Sequence, residues 1–393
     1  MGISPADSDE HAASKDKGFY DPMAVTWMEK YSKTLDKIWD KLPNYVGSII
    51  VTLAVFTFGA TIRGEWLLVL VHFTKYLGYN KGDANFTFSL TDISLESLYL
   101  KNLQYHWLAA CATSYGMYFI IGGFLQWYYY VRQRDKPEEW KCQPTKWLSP
   151  DLERHEILLG SFSLLFTSTI SALLSCYLSN GGWSTVYYEF DEYTWTWWFL
   201  QWPVIFIYQD YATYWLHRVY HTPFLYKHFH KLHHKYKQPT AFSVTAIHPV
   251  EIVHIQLTLL IPLFILPIHF VPLSVIELYT YYHGIIDHSG IDFKAYWWQP
   301  WQPDAIFHDN HHQYFHVNFS FNCAIWDKIH GTYRRRDRIY REDIFSGRGK
   351  ALHEATYEEI KNDIQERESE NPIAYRNNEM VYKLSDTDLK KKS

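Results

Sequence analysis

Long apolar stretches separated by short charged segments occupy the first two thirds of the chain. Leu42–Ile62, Asn102–Val131 and Ile157–Tyr188 contain no Asp, Glu, Lys or Arg. Each can cross a hydrocarbon core of about 30 Å as a helix, which takes roughly 20 residues. The first stretch resumes at Trp66–Thr74, and a fourth begins at Tyr193. The pattern predicts an all-α polytopic membrane protein with about four transmembrane helices, assigned to residues 42–199.

A fifth apolar stretch, Ile252–Ile276, is interrupted by Pro262, Pro267 and Pro272. Proline removes a helical hydrogen bond and clashes with the preceding turn. We therefore expect a bent or re-entrant hairpin rather than one straight span. The alternative for all five stretches is the buried core of a soluble protein, but their number, length and aromatic flanks favour membrane insertion.

The charges between these stretches predict an orientation. Residues 132–154 contain six Lys or Arg, whereas residues 179–193 contain none and carry Glu189, Asp191 and Glu192. Positive loops stay in the cytosol. The first loop, both termini and the histidine-rich region should therefore be cytosolic. We assign 1–41 as a polar cytosolic leader without a secretory signal and 334–393 as a charged cytosolic C-terminal tail.

Composition excludes several classes of protein. The net charge is −5 with no basic block, which argues against nucleic acid as a partner. Four well-separated cysteines without a CxxC pair exclude a disulfide scaffold and a thiolate zinc site. Histidine is the outlier: 15 of the 21 fall between His217 and His316.

Eight of these histidines form three sets with helical spacing. The sets are His217 and His221; His230, His233 and His234; and His308, His311 and His312. Positions i, i+3 and i+4 share one face of a helix, so each set should project its imidazoles toward one point. Eight ligands are too many for one ion and suit two. Imidazole accepts iron, copper, nickel or zinc, so ligand type does not choose the metal. A cytosolic membrane face beside apolar helices favours two irons that use O2 to attack a lipid C–H bond.

Further residues can complete such a site. His288 is a candidate ligand, and His283 and His248 are weaker candidates whose alternative role is structural hydrogen bonding. Carboxylates that could orient imidazole rings, or serve as ordinary caps and surface charges, are Asp210, Glu251, Asp287, Asp309 and Asp327.

The order H-x3-H, H-x2-HH, H-x2-HH resembles the histidine boxes of the sterol desaturase/fatty acid hydroxylase superfamily of membrane di-iron oxygenases. The likeness covers about residues 200–333, which we assign as the catalytic domain. Four neighbouring stretches are also similar to sequences of that family. One of them, the stretch that begins at Asp287, looks like the corresponding stretch of cholesterol 25-hydroxylases and C4-methylsterol oxidases. These stretches are His248-Pro-Val-Glu251, Asp287-His-Ser-Gly290, Asn318-Phe319 and Trp326-Asp-Lys-Ile-His-Gly-Thr332. Phe307 stands where those enzymes carry a further histidine.

The resemblance implies an endoplasmic reticulum enzyme with two iron ions, which zinc can replace in a purified sample. Its co-substrate is O2, with electrons from NAD(P)H through cytochrome b5 or its reductase. Lys390-Lys-Lys-Ser393 matches a retrieval signal of endoplasmic-reticulum membrane proteins. The expected reaction is hydroxylation of a sterol or related lipid, with no catalytic side chain beyond the metal ligands. The alternatives are a C-5 sterol or fatty-acyl desaturase on the same site and, outside enzymes, a metal transporter.

Overall fold

The computed structural model describes residues 27–63, 94–345 and 347–370. The first 26 residues of the predicted leader, the apolar extension Trp66–Thr74 and the C-terminal lysines lie outside these ranges. The fold is mostly helical, as predicted. The α-helices are α1 Trp27–Trp39, α2 Asn44–Arg63, α3 Leu103–Leu125, α4 Pro150–Ser179, α5 Trp195–Tyr220, α6 Pro223–His228, α7 Pro249–Leu260, α8 Phe270–Asp287, α9 Ile306–Tyr314, α10 Ile325–His330 and α11 Tyr357–Glu368. The 3-10 helices are Pro137–Glu139, His230–Lys235, Ala241–Thr245, Ile261–Phe264 and Leu352–Glu354.

Two of these helices are long and apolar enough to cross a membrane. They are α4 and the continuous helix Leu103–Arg132, in which α3 runs on as a π-helix over Gln126–Arg132. Apolar side chains cover their outer faces: Ile120 is 74% exposed and Leu158 is 71% exposed. Such surfaces suit a lipid environment. Four crossings stay a prediction.

The fifth apolar stretch is interrupted, as predicted, at Pro262 and Pro267, whereas Pro272 lies in the first turn of α8. The helix α7 gives way to the 3-10 turn Ile261–Phe264, and α8 begins only after strand β2, Ile268–His269. This strand pairs in parallel with β1, Val186–Tyr187, in the register Val186 to Ile268. The turn between α7 and α8 is therefore attached to the acidic loop that follows α4.

Close packing of α3 on α4 fixes the segment that follows the second histidine set. The Tyr118 hydroxyl on α3 donates to the Phe242 carbonyl at 2.9 Å, and the Ser163 hydroxyl on α4 donates to the Ile247 carbonyl at 2.6 Å. Gly160 makes this approach feasible, because a Cβ there would lie 2.9 Å from the Phe242 oxygen. The apolar helices thus hold residues 241–247 against the histidine region.

Residues 334–370 fold onto the histidine-bearing helix α9 instead of leaving the protein as a tail. Strand β3, Arg338–Ile339, pairs with β4, Lys350–Ala351, and α11 starts with a capping box between Thr356 and Glu359. Glu370 accepts a hydrogen bond from the Tyr314 hydroxyl at 2.6 Å and pairs with Arg334 at 2.6 Å. This part of the chain covers one side of the site.

Candidate metal centre

Nine buried histidines form two adjacent groups, and within each group one nitrogen per residue lies within 4.8 Å of the others. The first group is His217, His221, His230, His234 and His311. The second group is His233, His288, His308 and His312. All eight box histidines and His288 are therefore brought together.

Four elements supply these side chains. The last turn of α5 carries His217, and His221 is its C-cap residue. His288 is the C-cap residue of α8. The second set lies on the 3-10 helix His230–Lys235 and the third set on α9. The expectation of an α-helix for the second set is therefore wrong: the preceding helix α6 ends at its C-cap residue Phe229, and a separate 3-10 helix follows, whose C-cap residue is Tyr236.

The expectation that each set points to one spot is also wrong for the two triplets. His230 and His234 join the first group and His233 the second, whereas His308 and His312 join the second and His311 the first. On an α-helix with 3.6 residues per turn, positions i+3 and i+4 diverge by about 100°. A triplet on α9 therefore serves two neighbouring sites.

Hydrogen bonds fix the tautomers of two rings in the second group, His233 and His288. The His288 Nδ1–H donates to the Gly284 carbonyl at 2.7 Å, and the His233 Nδ1–H donates to the Ala246 carbonyl at 3.3 Å. Since a neutral imidazole carries one proton, the Nε2 atom of each ring holds a lone pair. These two Nε2 atoms are 3.4 Å apart, and His308 Nε2 is 2.9 Å from that of His288.

The first group is arranged in the same way. Nδ1–H groups donate from His217 to the Phe319 carbonyl at 2.7 Å, and from His311 to the Val317 carbonyl at 2.6 Å. The His230 Nδ1–H donates to Glu251 Oε1 at 2.6 Å. Each of these three rings therefore turns the lone pair of its Nε2 toward the interior of the group.

His316, which no spacing singled out, orients His221. The His316 Nε2–H donates to the Glu342 carbonyl at 2.8 Å, so its Nδ1 accepts from the His221 Nδ1–H at 2.9 Å. The lone pair of His221 Nε2 then faces His234 Nε2 at 3.3 Å. The sequence offers no signal for this role, because His316 belongs to none of the three sets.

A bound cation fits this arrangement. Lone pairs that face each other at such distances repel, and each buried nitrogen without a partner costs free energy. Within the described residues, His311 Nε2 and both ring nitrogens of His312 have no hydrogen-bond partner. Burial also lowers the pKa of His308, His311 and His312 well below 6.5. These rings are therefore neutral, which is the form that binds metals.

The carboxylates and the two weaker histidine candidates that were expected around the metal ligands have different roles in the structure. Among the five carboxylates, Glu251 alone bonds an imidazole within the described chain. Asp327 accepts from the amides of Phe319 and Ser320, and so holds the turn whose carbonyl binds His217. The others bond elsewhere: Asp210 to Asn322 and Trp326, Asp309 to Gln143, and Asp287 to Gln302. The remaining two histidines lie outside both groups: His248 caps α7, and His283 packs on Tyr279.

The backbone conformation after α9 positions the two carbonyls that accept hydrogen bonds from His311 and His217. Phe315 and Asn318 have positive φ angles of 62° and 54°. Asparagine tolerates this conformation, whereas phenylalanine there is strained. The Asn318 side chain also donates to the Phe307 carbonyl at 3.0 Å and accepts from the Arg334 amide at 2.9 Å. This turn directs the carbonyls of Val317 and Phe319 to their imidazoles.

An elongated cavity of about 470 Å³ opens onto the centre, within the usual range for small-molecule sites. His217, His233 and His288 line one end. The walls come from α3, α4, α5, α7 and α8 and are mainly apolar. A lipid in this cavity would lie against the imidazoles.

Comparisons with known proteins agree with this geometry. Residues 202–332 match the fatty acid hydroxylase family, and the chain is similar to sterol desaturases and a lathosterol oxidase. Residues 202–332 belong to the sterol desaturase/fatty acid hydroxylase superfamily. This confirms the family predicted from the histidine boxes.

Three relatives illustrate the superfamily match. A probable Delta(7)-sterol 5(6)-desaturase of Neurospora crassa is 29% identical over 47% of this chain and 52% of its own length. Rat lathosterol oxidase is 32% identical over 46% of this chain and 60% of its own. A putative methylsterol monooxygenase of Dictyostelium discoideum is 32% identical over 36% and 55%. The chain thus spans about half the length of these relatives. No solved structure matches it significantly.

Proposed function

We propose that this protein is an O2-dependent membrane oxidase of a sterol or related lipid that works with two iron ions. The observation that carries the proposal is the pair of buried imidazole groups at the end of an apolar cavity. The printed names of the relatives, which include sterol desaturases and an oxidase, support a sterol substrate.

The first histidine group would hold one iron and the second group the other. Bound iron would supply the activation of O2 that cleavage of an unactivated C–H bond requires. The protein's own contribution is to keep the imidazoles neutral and oriented, through four main-chain carbonyls, Glu251 and His316. Burial excludes water from the centre, and the cavity walls position the lipid carbon.

Two outcomes of the reaction share this site. In hydroxylation one oxygen atom enters the C–H bond and the other leaves as water. In desaturation two hydrogen atoms leave the lipid and both oxygen atoms leave as water. Each consumes two electrons, which we assign to NAD(P)H through cytochrome b5 or its reductase. We propose hydroxylation first; desaturation is the second candidate, because several relatives are named as desaturases.

We assign the centre to the cytosolic face of the endoplasmic reticulum membrane. The basic loop between α3 and α4 packs beside it, since the Gln143 amide donates to Asp309 on α9 at 2.8 Å. The acidic loop pairs with the α7–α8 turn at the other end of α4. Positive loops favour the cytosol. A metal transporter would instead need ligands along its spanning helices, whereas these nine gather at one end.

Lipid analysis of cells with and without the chain tests the proposal. The wild type should add oxygen to a sterol or remove two hydrogen atoms from it, and mass spectrometry distinguishes these products. His311→Ala should abolish the product and lower bound iron, since it removes a ligand. His353→Ala is the matched control, because that side chain is 84% exposed and remote from the centre. Equal lipid changes in wild type and His311→Ala would refute the proposal.

A further inference from the structure

The cavity is lined without positive charge. Among the described residues that line it, there is no lysine or arginine. A lipid carboxylate or phosphate would therefore lose its hydration there without gaining a counter-charge, which is costly. The lining favours an uncharged lipid over a fatty acid or a phospholipid.

One carboxyl group faces this cavity far from the histidines. The Gln209 amide donates to Glu277 Oε1 at 2.7 Å and to the Leu259 carbonyl at 3.4 Å. Glu277 lines the cavity and is partly exposed, and within the described chain no hydrogen bond reaches its Oε2. Glu251 also lines the cavity, but it is only 1% exposed and its Oε2 is buried. Glu277 is therefore the carboxyl that a ligand can reach.

The distance between Glu277 and the metal centre follows from residue positions along two helices. On α8, Glu277 precedes His288 by eleven residues, which is about 16 Å at 1.5 Å per residue. On α5, Gln209 precedes His217 by eight residues, or about 12 Å. Both helices therefore place the Gln209–Glu277 pair at the far end of the cavity.

Two other polar pairs along the cavity bond each other, and the hydroxyl of Thr167, which also lines it, has no partner among the described residues but is fully buried. The Gln256 amide donates to the Ser171 hydroxyl at 3.3 Å, and His106 Nδ1 lies 3.1 Å from the Ser175 hydroxyl oxygen. These pairs satisfy each other, whereas Glu277 retains an accepting oxygen. A hydroxyl group is the neutral donor that fits such an oxygen.

We infer that Glu277 binds the hydroxyl group of a sterol-class lipid alcohol and thereby sets both substrate choice and orientation. The inference rests on the proposed function and deepens it. A sterol carries its hydroxyl at one end and its alkyl tail at the other. With the hydroxyl on Glu277, the tail points to the imidazoles. The oxidised carbon then lies in the tail and not in the ring that carries the hydroxyl.

Equilibrium binding without O2 tests the inference. The full chain in lipid nanodiscs is titrated with cholesterol and with cholesteryl methyl ether, which differs only by a methyl group in place of the hydroxyl hydrogen and cannot donate a hydrogen bond. Wild type should bind cholesterol about tenfold or more tightly than the ether, as expected for a hydrogen bond to a carboxyl group. Glu277→Leu should bind both probes as weakly as wild type binds the ether. Glu138→Gln, an exposed carboxyl change outside the cavity, should behave like wild type.

Several results would overturn the inference. They are equal affinity of wild type for the two probes, no binding of either, or a preference for cholesterol that persists in Glu277→Leu, as binding at Glu251 would produce. The wild-type comparison stays decisive if Glu277→Leu fails to fold. Fragmentation of any oxidised sterol must place the change in the tail, and a ring product would refute the orientation. A chain that binds with the expected preference but oxidises no lipid would refute the proposed function alone.

Discussion

Glu251 offers the sharpest test of the metal centre, because it supports only one of the two groups. Its Oε1 accepts the His230 Nδ1–H at 2.6 Å, and both side chains are about 2% exposed. Glu251→Leu removes this acceptor and leaves a buried N–H unpaired, which costs about 1–3 kcal/mol. His230 also loses the bond that fixes its tautomer, and loss of such a support weakens metal binding by roughly 10–100-fold.

The assay is competition between the purified protein and a chelator, with bound iron measured by mass spectrometry. Wild type should carry two ions, and Glu251→Leu should release one of them at a chelator concentration about 10–100-fold lower. Glu251→Gln keeps an accepting oxygen and should lie closer to wild type. Gln256→Leu is the matched control on the same helix, since its amide bonds Ser171 and no imidazole. Equal retention of both ions in Glu251→Leu, or equal loss in Gln256→Leu, would contradict the assignment.

Three further predictions concern orientation, packing and metal removal. His316→Ala should weaken metal binding by about tenfold in the same competition assay, because His221 loses its acceptor; wild-type affinity would rule out this role. Gly160→Ala should lower the free energy of unfolding by about 1–3 kcal/mol in thermal or denaturant titration, because its Cβ would clash with the Tyr118 hydroxyl and the Phe242 carbonyl oxygen. Gly116→Ala, whose Cβ meets nothing within 4 Å, should not lower it, because alanine favours a helix more than glycine does. Removing iron with a chelator should lower the melting temperature and re-addition should restore it, because the metal binds the folded state alone; an unchanged melting temperature would argue against a stabilising ion.

The three sets of histidines were recognisable in the sequence, because their spacing is a matter of local geometry. The three sets and His288 supply all nine grouped histidines. The division of each triplet between two groups depends on how α9 and the 3-10 helix face each other, which tertiary packing decides. His316 was missed because its contact with His221 spans 95 residues of sequence.

The partners of the buried carboxylates could not be predicted from the sequence. Glu251, Asp210 and Asp327 all carry a carboxyl group and are all buried, but only the first bonds an imidazole ring. Their partners come from distant segments, as when Asp210 on α5 accepts from Trp326 at 2.6 Å. The proline break was predictable because proline acts locally. The folding of residues 334–370 was not, since it depends on contacts such as Tyr314 with Glu370.

Four of the six supports of the imidazole rings are peptide carbonyls, those of Gly284, Ala246, Val317 and Phe319. A peptide oxygen persists whatever side chain its residue carries, so point mutation cannot delete it. The orientation of these rings is therefore robust to sequence drift at most supporting positions. The two side-chain supports, Glu251 and His316, are the ones that a point mutation can remove. Random mutagenesis should therefore recover inactivating changes there more often than at the residues that supply the accepting carbonyls.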